Sequence, residues 1–181
     1  MLGIRVARLP RRIKNETVTL RLSRYRDLSI LSALFTPGLI LQMNGQRNRL
    51  APKAFRSLFS FSRWLRTTFQ LVYIIEVPRS AGARIVGFIG CYDMEIGQSL
   101  CLSVAIFHLG DRQRGYGHQA LELLLRDLQK NSIVETVCME VLSTNLPSLS
   151  LCHKLGFAVR RHSETTTFLE RQLSVQPQIE K

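Results

Sequence analysis

Between residues 100 and 130 the chain passes from an apolar, β-branched run (Leu100–Phe107) through Arg112-Gln113-Arg114-Gly115-Tyr116-Gly117 into a Leu-rich helical pattern beginning near His118. No other stretch limits the possible folds as strongly as this strand–glycine loop–helix order. Glycines in such a bend let successive main-chain N–H groups approach an anion without a Cβ in the way. The following helix adds its N-terminal partial charge at the same point. The loop therefore reads as a diphosphate cradle, with Arg112, Arg114 and His118 adding side-chain charge. It is not a nucleotide P-loop, because no Gly-Lys-Ser/Thr follows, and it falls short of the full G-x-G-x-x-G fingerprint.

Around this unit the periodicities predict further elements. Residues 17–22 alternate and read as a strand, and Arg26–Phe35 suits a helix stopped before Pro37. Pro52–Phe69 predicts a basic amphipathic helix with Phe55, Leu58, Phe59, Trp64, Leu65 and Phe69 on its apolar side. Residues 71–77 and 85–94 form a hairpin pattern, and Ala120, Leu121, Leu124, Leu125 and Leu128 stripe the helix after the loop. Residues 135–142 predict a strand, 145–155 a short helix ended by Gly156, and 157–161 with 165–172 a closing hairpin. The order implies an α/β (α+β) fold, a mixed and mainly antiparallel sheet with helices on both faces. One domain is expected over residues 17–173, between a basic flexible tail (1–16) and a C-terminal tail (174–181).

Composition narrows the function classes. The formal net charge is +12, concentrated before residue 67, where Asp27 is the one acid between Arg21 and Arg66. Such a field attracts nucleic acid, an acidic protein surface or a phosphorylated ligand. No aromatic RNA-binding strand signature or zinc-finger spacing accompanies it, so stable nucleic-acid binding is not the first expectation. Residues 1–15 are Arg-rich and acid-free like an organelle presequence, yet lack serine and contain Pro10. No apolar run has the length of a membrane span, and a cytoplasmic protein, monomer or homodimer, is expected. Cys91, Cys101, Cys138 and Cys152 show no C-x-x-C spacing, so no metal site and four reduced, buried thiols are expected.

A second motif lies thirty residues beyond the first: Asn145-Leu146-Pro147-Ser148, then Leu155-Gly156-Phe157. The two blocks together resemble the acyl-CoA-binding half of the GNAT (Gcn5-related) N-acetyltransferases, which share an Asn after a strand, a small residue three positions on, and a helix ending Leu-Gly-Phe. The beginning Leu20-Arg21-Leu22…Asp27 and the tail Phe168–Leu173 are similar to the RimJ/RimL-like ribosomal-protein branch, whereas Gly117-His118-Gln119-Ala120 departs from it. The resemblance spans residues 17 to about 173. It implies acetyl-CoA as cofactor, lying in a splay between the two central strands and held by Ile106, Phe107, residues 112–118, Asn145, Ser148 and Cys152.

The same resemblance implies direct attack of an acceptor amine on the thioester in a ternary complex, with a strand bulge at Ile106-Phe107-His108 offering a free amide to the oxyanion. Candidate bases are Glu95, Asp93, Glu76 and His108; the sequence does not choose among them. Cys152 stands where the family often has a tyrosine that protonates the leaving thiolate. It is equally readable as a packed thiol, because Ser148, Leu151, Cys152 and Leu155 share a helical stripe. The acceptor is expected to be a protein N-terminus or a small amine bearing negative charge. The alternatives are a non-catalytic acyl-CoA sensor of the same fold and a basic nucleic-acid-binding domain.

Overall fold

Consecutive apolar side chains in the two strands of residues 71–91 bury both faces of a long hairpin, and the rest of the sheet grows outward from it. The computed structural model describes residues 9–36, 38–40 and 57–173. Its strands are β1 (Arg12–Lys14), β2 (Thr19–Leu22), β3 (Leu71–Arg79), β4 (Gly82–Glu95), β5 (Ser99–Ile106), β6 (Thr136–Leu142), β7 (Ala158–His162) and β8 (Thr166–Gln172). They form one sheet of order β1-β2-β3-β4-β5-β6-β8-β7. Every pairing is antiparallel except β5 with β6. A parallel neighbour requires a crossover, supplied here by the helix α3 (Tyr116–Lys130).

Two cores result. On one face α3 lays Leu121, Leu124 and Leu128 over Ile89, Leu100 and Leu102. On the other, α1 (Leu28–Leu34) and α2 (Leu58–Thr68) close an aromatic core with Phe35, Phe61, Trp64, Phe69 and Phe88. A further helix, α4 (Leu146–Lys154), follows β6. Gly90 is required where the sheet meets this aromatic core, since a Cβ there would run into the Phe69 ring.

Several expectations change. The sheet starts before residue 17: β1 pairs with β2, and the Tyr73 hydroxyl donates to the Pro10 carbonyl at 2.8 Å. Helix α2 begins at Leu58 because the Ser57 hydroxyl accepts the Ser60 N–H, an N-cap. Its buried stripe is Phe61, Trp64 and Leu65, while Phe59 is 77% exposed and Leu58 47%. Phe55 and most of the irregular segment 39–50 lie outside the described residues.

The cysteines also divide differently. Cys101 and Cys138 are register partners in the parallel β5–β6 ladder, their Cα atoms 4.5 Å apart, and they form a disulfide. Sequence spacing carries no information about such a cross-strand neighbour. Cys91 and Cys152 are free and buried, as expected. Among the described residues no helix is long and apolar enough to cross a membrane, and no cluster of three metal-ligating side chains occurs.

A buried ion cluster fixes α1 to the sheet. Arg21 of β2 makes a bidentate pair with Asp27 at 2.7 and 3.0 Å and bonds Glu76 of β3 at 2.7 Å. Burial pushes the Asp27 carboxyl up, but the Arg21 hydrogen bond, the Arg24 main-chain N–H and nearby charge together hold it below its ordinary value. Arg21→Ala leaves two carboxylates without their cation and should lose about 3–5 kcal/mol in urea unfolding. A carboxylate depressed in the folded state stabilises it fully above the unfolded pKa, about 3.9, and stops doing so as pH falls through the folded value. The stability gap between wild type and Arg21→Ala should therefore narrow on acidification below about pH 4.

Candidate functional site

The ladder between β5 and β6 runs from Ser99–Thr136 to Leu102–Met139 and no further. Beyond that pair the strands part, and the opening is a cleft of about 1090 Å³. Its walls come from residues 102–106 of β5, residues 139–141 of β6, the glycine loop and one side of α4. The Phe107 N–H donates to the Val86 carbonyl at 2.9 Å, so alternation turns the Val104 and Ile106 N–H groups away from β4 and into the splay. These two amides face the cleft as donors.

The loop is shaped by backbone handedness. Gln113 (φ 59°) and Gly115 (φ 80°) both lie in the left-handed region, and Gly115 is the N-cap of α3. The first intrahelical bond is Gln119 N–H to Gly115 carbonyl at 2.9 Å, which leaves the N–H groups of Tyr116, Gly117 and His118 without helical partners. Gly117 belongs to the first helical turn rather than to the loop proper. A Cβ on it would meet only Ile106 and Leu151, each at 3.8 Å, so its missing side chain leaves a gap between the end of β5 and α4. This donor set, three open amides at a helix N-terminus beside a left-handed bend, fits a diphosphate.

An ion pair anchors the loop from behind. The carboxylate of Asp111, itself 6% exposed, takes both terminal nitrogens of Arg84 from the start of β4, one at 2.6 Å. The Arg84 guanidinium holds the Asp111 carboxyl below the usual carboxylate range. Arg112 turns inward, its Nε donating to the Ile106 carbonyl at 3.3 Å. Across the cleft, the Asn145 side chain caps α4 by accepting the Ser148 N–H at 3.3 Å. That bond gives a physical reason for an Asn at this position, since its side chain satisfies an otherwise unpartnered N–H in the first turn of α4.

Of the residues singled out by sequence, Ile106, Arg112, Gln113, Gly115, Tyr116, Gly117, His118, Asn145 and Ser148 line the cleft. Arg114 is exposed on the rim. Phe107 points to the other face, its ring 5.6 Å from Phe35 and 5.8 Å from Phe88. Up to Ile106 the β4–β5 register is unbroken from Cys101, so the paired part of β5 carries no bulge before the expected Ile106–His108 segment. Both register shifts fall where β4 carries the extra residues, near Val86 and at Asp93–Met94.

The candidate bases are dispersed. Glu95 pairs with Ser99, at the opposite end of β5 from the loop and about 23 Å away at the usual strand rise. Asp93 is exposed in the bulge beside it. Glu76 is held by Arg21, and His108 is exposed outside the cleft. Cys152 is fully buried, its thiol donating to the Met139 sulfur at 3.6 Å, and burial pushes that thiol up to about 12. It faces the core, a direction that the helical stripe left open.

Two carboxylates line the cleft: Asp111, already paired with Arg84, and Glu140, which the sequence reading passed over. Val137, Met139 and Val141 belong to the α3-side core, so alternation places Glu140 on the opposite face, with Ser103, one residue past the point where the strands part. The available signal was a lone charge inside the apolar run Thr136–Leu142.

A family model described as an acetyltransferase (GNAT) domain matches residues 18–158. Among solved structures, the spermidine N-acetyltransferase from Vibrio cholerae in complex with CoA and spermine is similar at 13% identity and a TM-score of 0.72, covering 89% of this chain and 98% of its own. RimL, a ribosomal L7/L12 alpha-N-protein acetyltransferase in complex with coenzyme A, gives 11% identity and 0.71, covering 93% and 99%. The Salmonella typhimurium protein yncA with acetyl-CoA gives 16% and 0.63, covering 89% and 96%. No curated protein sequence matches the chain.

The position of the buried thiol sets a test. Cys152→Ala should lower the melting temperature by several degrees through a small cavity, while any acyl-transfer rate stays within about twofold. A normal melting temperature with rate lost would place the thiol in the chemistry instead.

Proposed function

Because the chain belongs to the GNAT acetyltransferase family, we propose that it transfers an acetyl group from acetyl-CoA to a primary amine held in the same cleft. The observation that carries this reading is the meeting, in one cleft, of open main-chain amides at the start of α3, outward-turned amides of β5 and the Glu140 carboxylate.

Acetyl-CoA, when bound, supplies an acyl group activated as a thioester. The chain's own residues do the rest. The N–H groups of Tyr116, Gly117 and His118 are the donors for the diphosphate, with Arg112 beside them. The main chain at Val104 and Ile106 is open to pair with an extended amide arm as a further strand would. Val104 and Ile106 also provide preorganised N–H donors for negative charge that develops in the splay. An alkylammonium of pKa about 10 must lose a proton before it can act as a nucleophile. Glu140, on the face away from α3, accepts that proton directly or through water. With Cys152 facing the core, no thiol acid enters the cleft; a thiol of ordinary pKa near 8.5 leaves without one. The largest contribution is positional, since holding amine and thioester together is worth roughly 7–11 kcal/mol.

Isothermal titration with acetyl-CoA and thiol-release assays over an amine panel test the reading. Binding without turnover on any amine would favour the sensor alternative. Gly117→Val should fold normally and lose at least tenfold in CoA affinity, because its side chain fills the gap between Ile106 and Leu151. Unchanged affinity would refute the loop assignment. Glu140→Gln should keep CoA affinity and lose about 100-fold or more in kcat. Unchanged kcat would remove Glu140 from the chemistry.

A further inference from the structure

A row of side chains runs sideways from Glu140 toward the sheet edge. Glu140 is the register partner of Phe168 on β8, and Phe168 is the partner of Arg161 on β7. Directly opposed residues in antiparallel strands put their side chains on one face, so the carboxylate, the ring and the guanidinium lie side by side. The Arg161 guanidinium carbon sits 5.8 Å from the centre of the Phe168 ring, within cation–π range. The ring thus holds in place a side chain that would otherwise sweep freely through solvent.

Two neighbouring arginines are already committed. Arg160 is bonded to Glu170 at 3.0 Å, and Arg171 donates to the Leu155 carbonyl at 2.7 Å. Arg161 makes no ion pair among the described residues, and it is exposed. A guanidinium on an aromatic platform keeps its N–H edges available for a planar anion. Two strand spacings, about 10 Å, separate the Arg161 backbone from that of Glu140.

We propose that Arg161, seated on Phe168, is a specificity-determining residue that binds an anionic group of the acceptor while its amine lies at Glu140. The substrate class is then a primary amine with a carboxylate or similar anion roughly 6–10 Å from the nitrogen, the reach of an acidic side chain two or three residues into an extended peptide. A linear polyamine, with cations at that distance, is disfavoured by like charge. This inference rests on the transferase reading above and adds the identity of the acceptor to it.

The test uses the full chain with acetyl-CoA and tripeptides that share one N-terminal residue and carry Asp, Asn or Lys at the second or third position. Wild type should give its lowest KM with an Asp peptide. Arg161→Gln should raise that KM at least tenfold, leave kcat within about twofold, leave the Asn peptides and CoA affinity unchanged, and be rescued in part by Arg161→Lys. Arg161→Glu should shift preference toward the Lys peptides. Indifference of wild type to peptide charge, or an equal loss on Asp and Asn peptides in Arg161→Gln, overturns the inference and leaves the transferase reading standing. No thiol release from any amine overturns the transferase reading and this inference with it.

Discussion

The parting of β5 from β6 after Leu102–Met139 is the constraint on which the rest of the molecule turns. Two parallel strands that stay paired offer nothing to a ligand. Two that separate expose main-chain donors on both walls, and such groups must find partners. Everything on either side keeps the strands apart in a defined way: the α3 crossover and its apolar stripe on one face, and the aromatic core under α1 and α2 on the other. The Cys101–Cys138 disulfide ties the strands together one residue before they diverge.

The loop depends on the same geometry. Arg84 and Asp111 fasten the turn after β5 to the start of β4, so the open N-terminus of α3 is carried at the mouth of the splay rather than on a free loop. Preorganisation of this kind matters because donors already aimed at an anion need no reorganisation when it arrives. Asn145 performs the matching task opposite, spending its side-chain oxygen on the α4 N-terminus and thereby fixing the far wall.

What the sequence disclosed was local. Glycines between strand and helix, leucines at helical spacing and an Asn before a small residue are signals within a few positions, and they located most of the cleft wall. What it hid was lateral. Glu140 becomes interesting only because its register puts it just past the divergence. The Cys101–Cys138 bond, the β1 edge and the Arg21–Asp27–Glu76 cluster likewise join residues that no spacing connects. Glu95, one of four candidate bases, pairs with Ser99 at the end of β5 away from the loop, a placement that only the register reveals. Cys152 was open for a different reason: its helix presents Ser148 and Leu151 to the cleft and Cys152 and Leu155 to the core, and the stripe alone does not say which face a thiol joins.

The most direct measurement of the central claim is an amide-resolved NMR titration of the chain with coenzyme A. The account predicts shifts and slowed exchange at the N–H groups of Val104, Ile106, Tyr116, Gly117 and His118, with resonances at the β4 bulge around Asp93 and Glu95 unmoved. Shifts absent from the five amides, or centred on the Asp93–Glu95 end of the sheet, would contradict it.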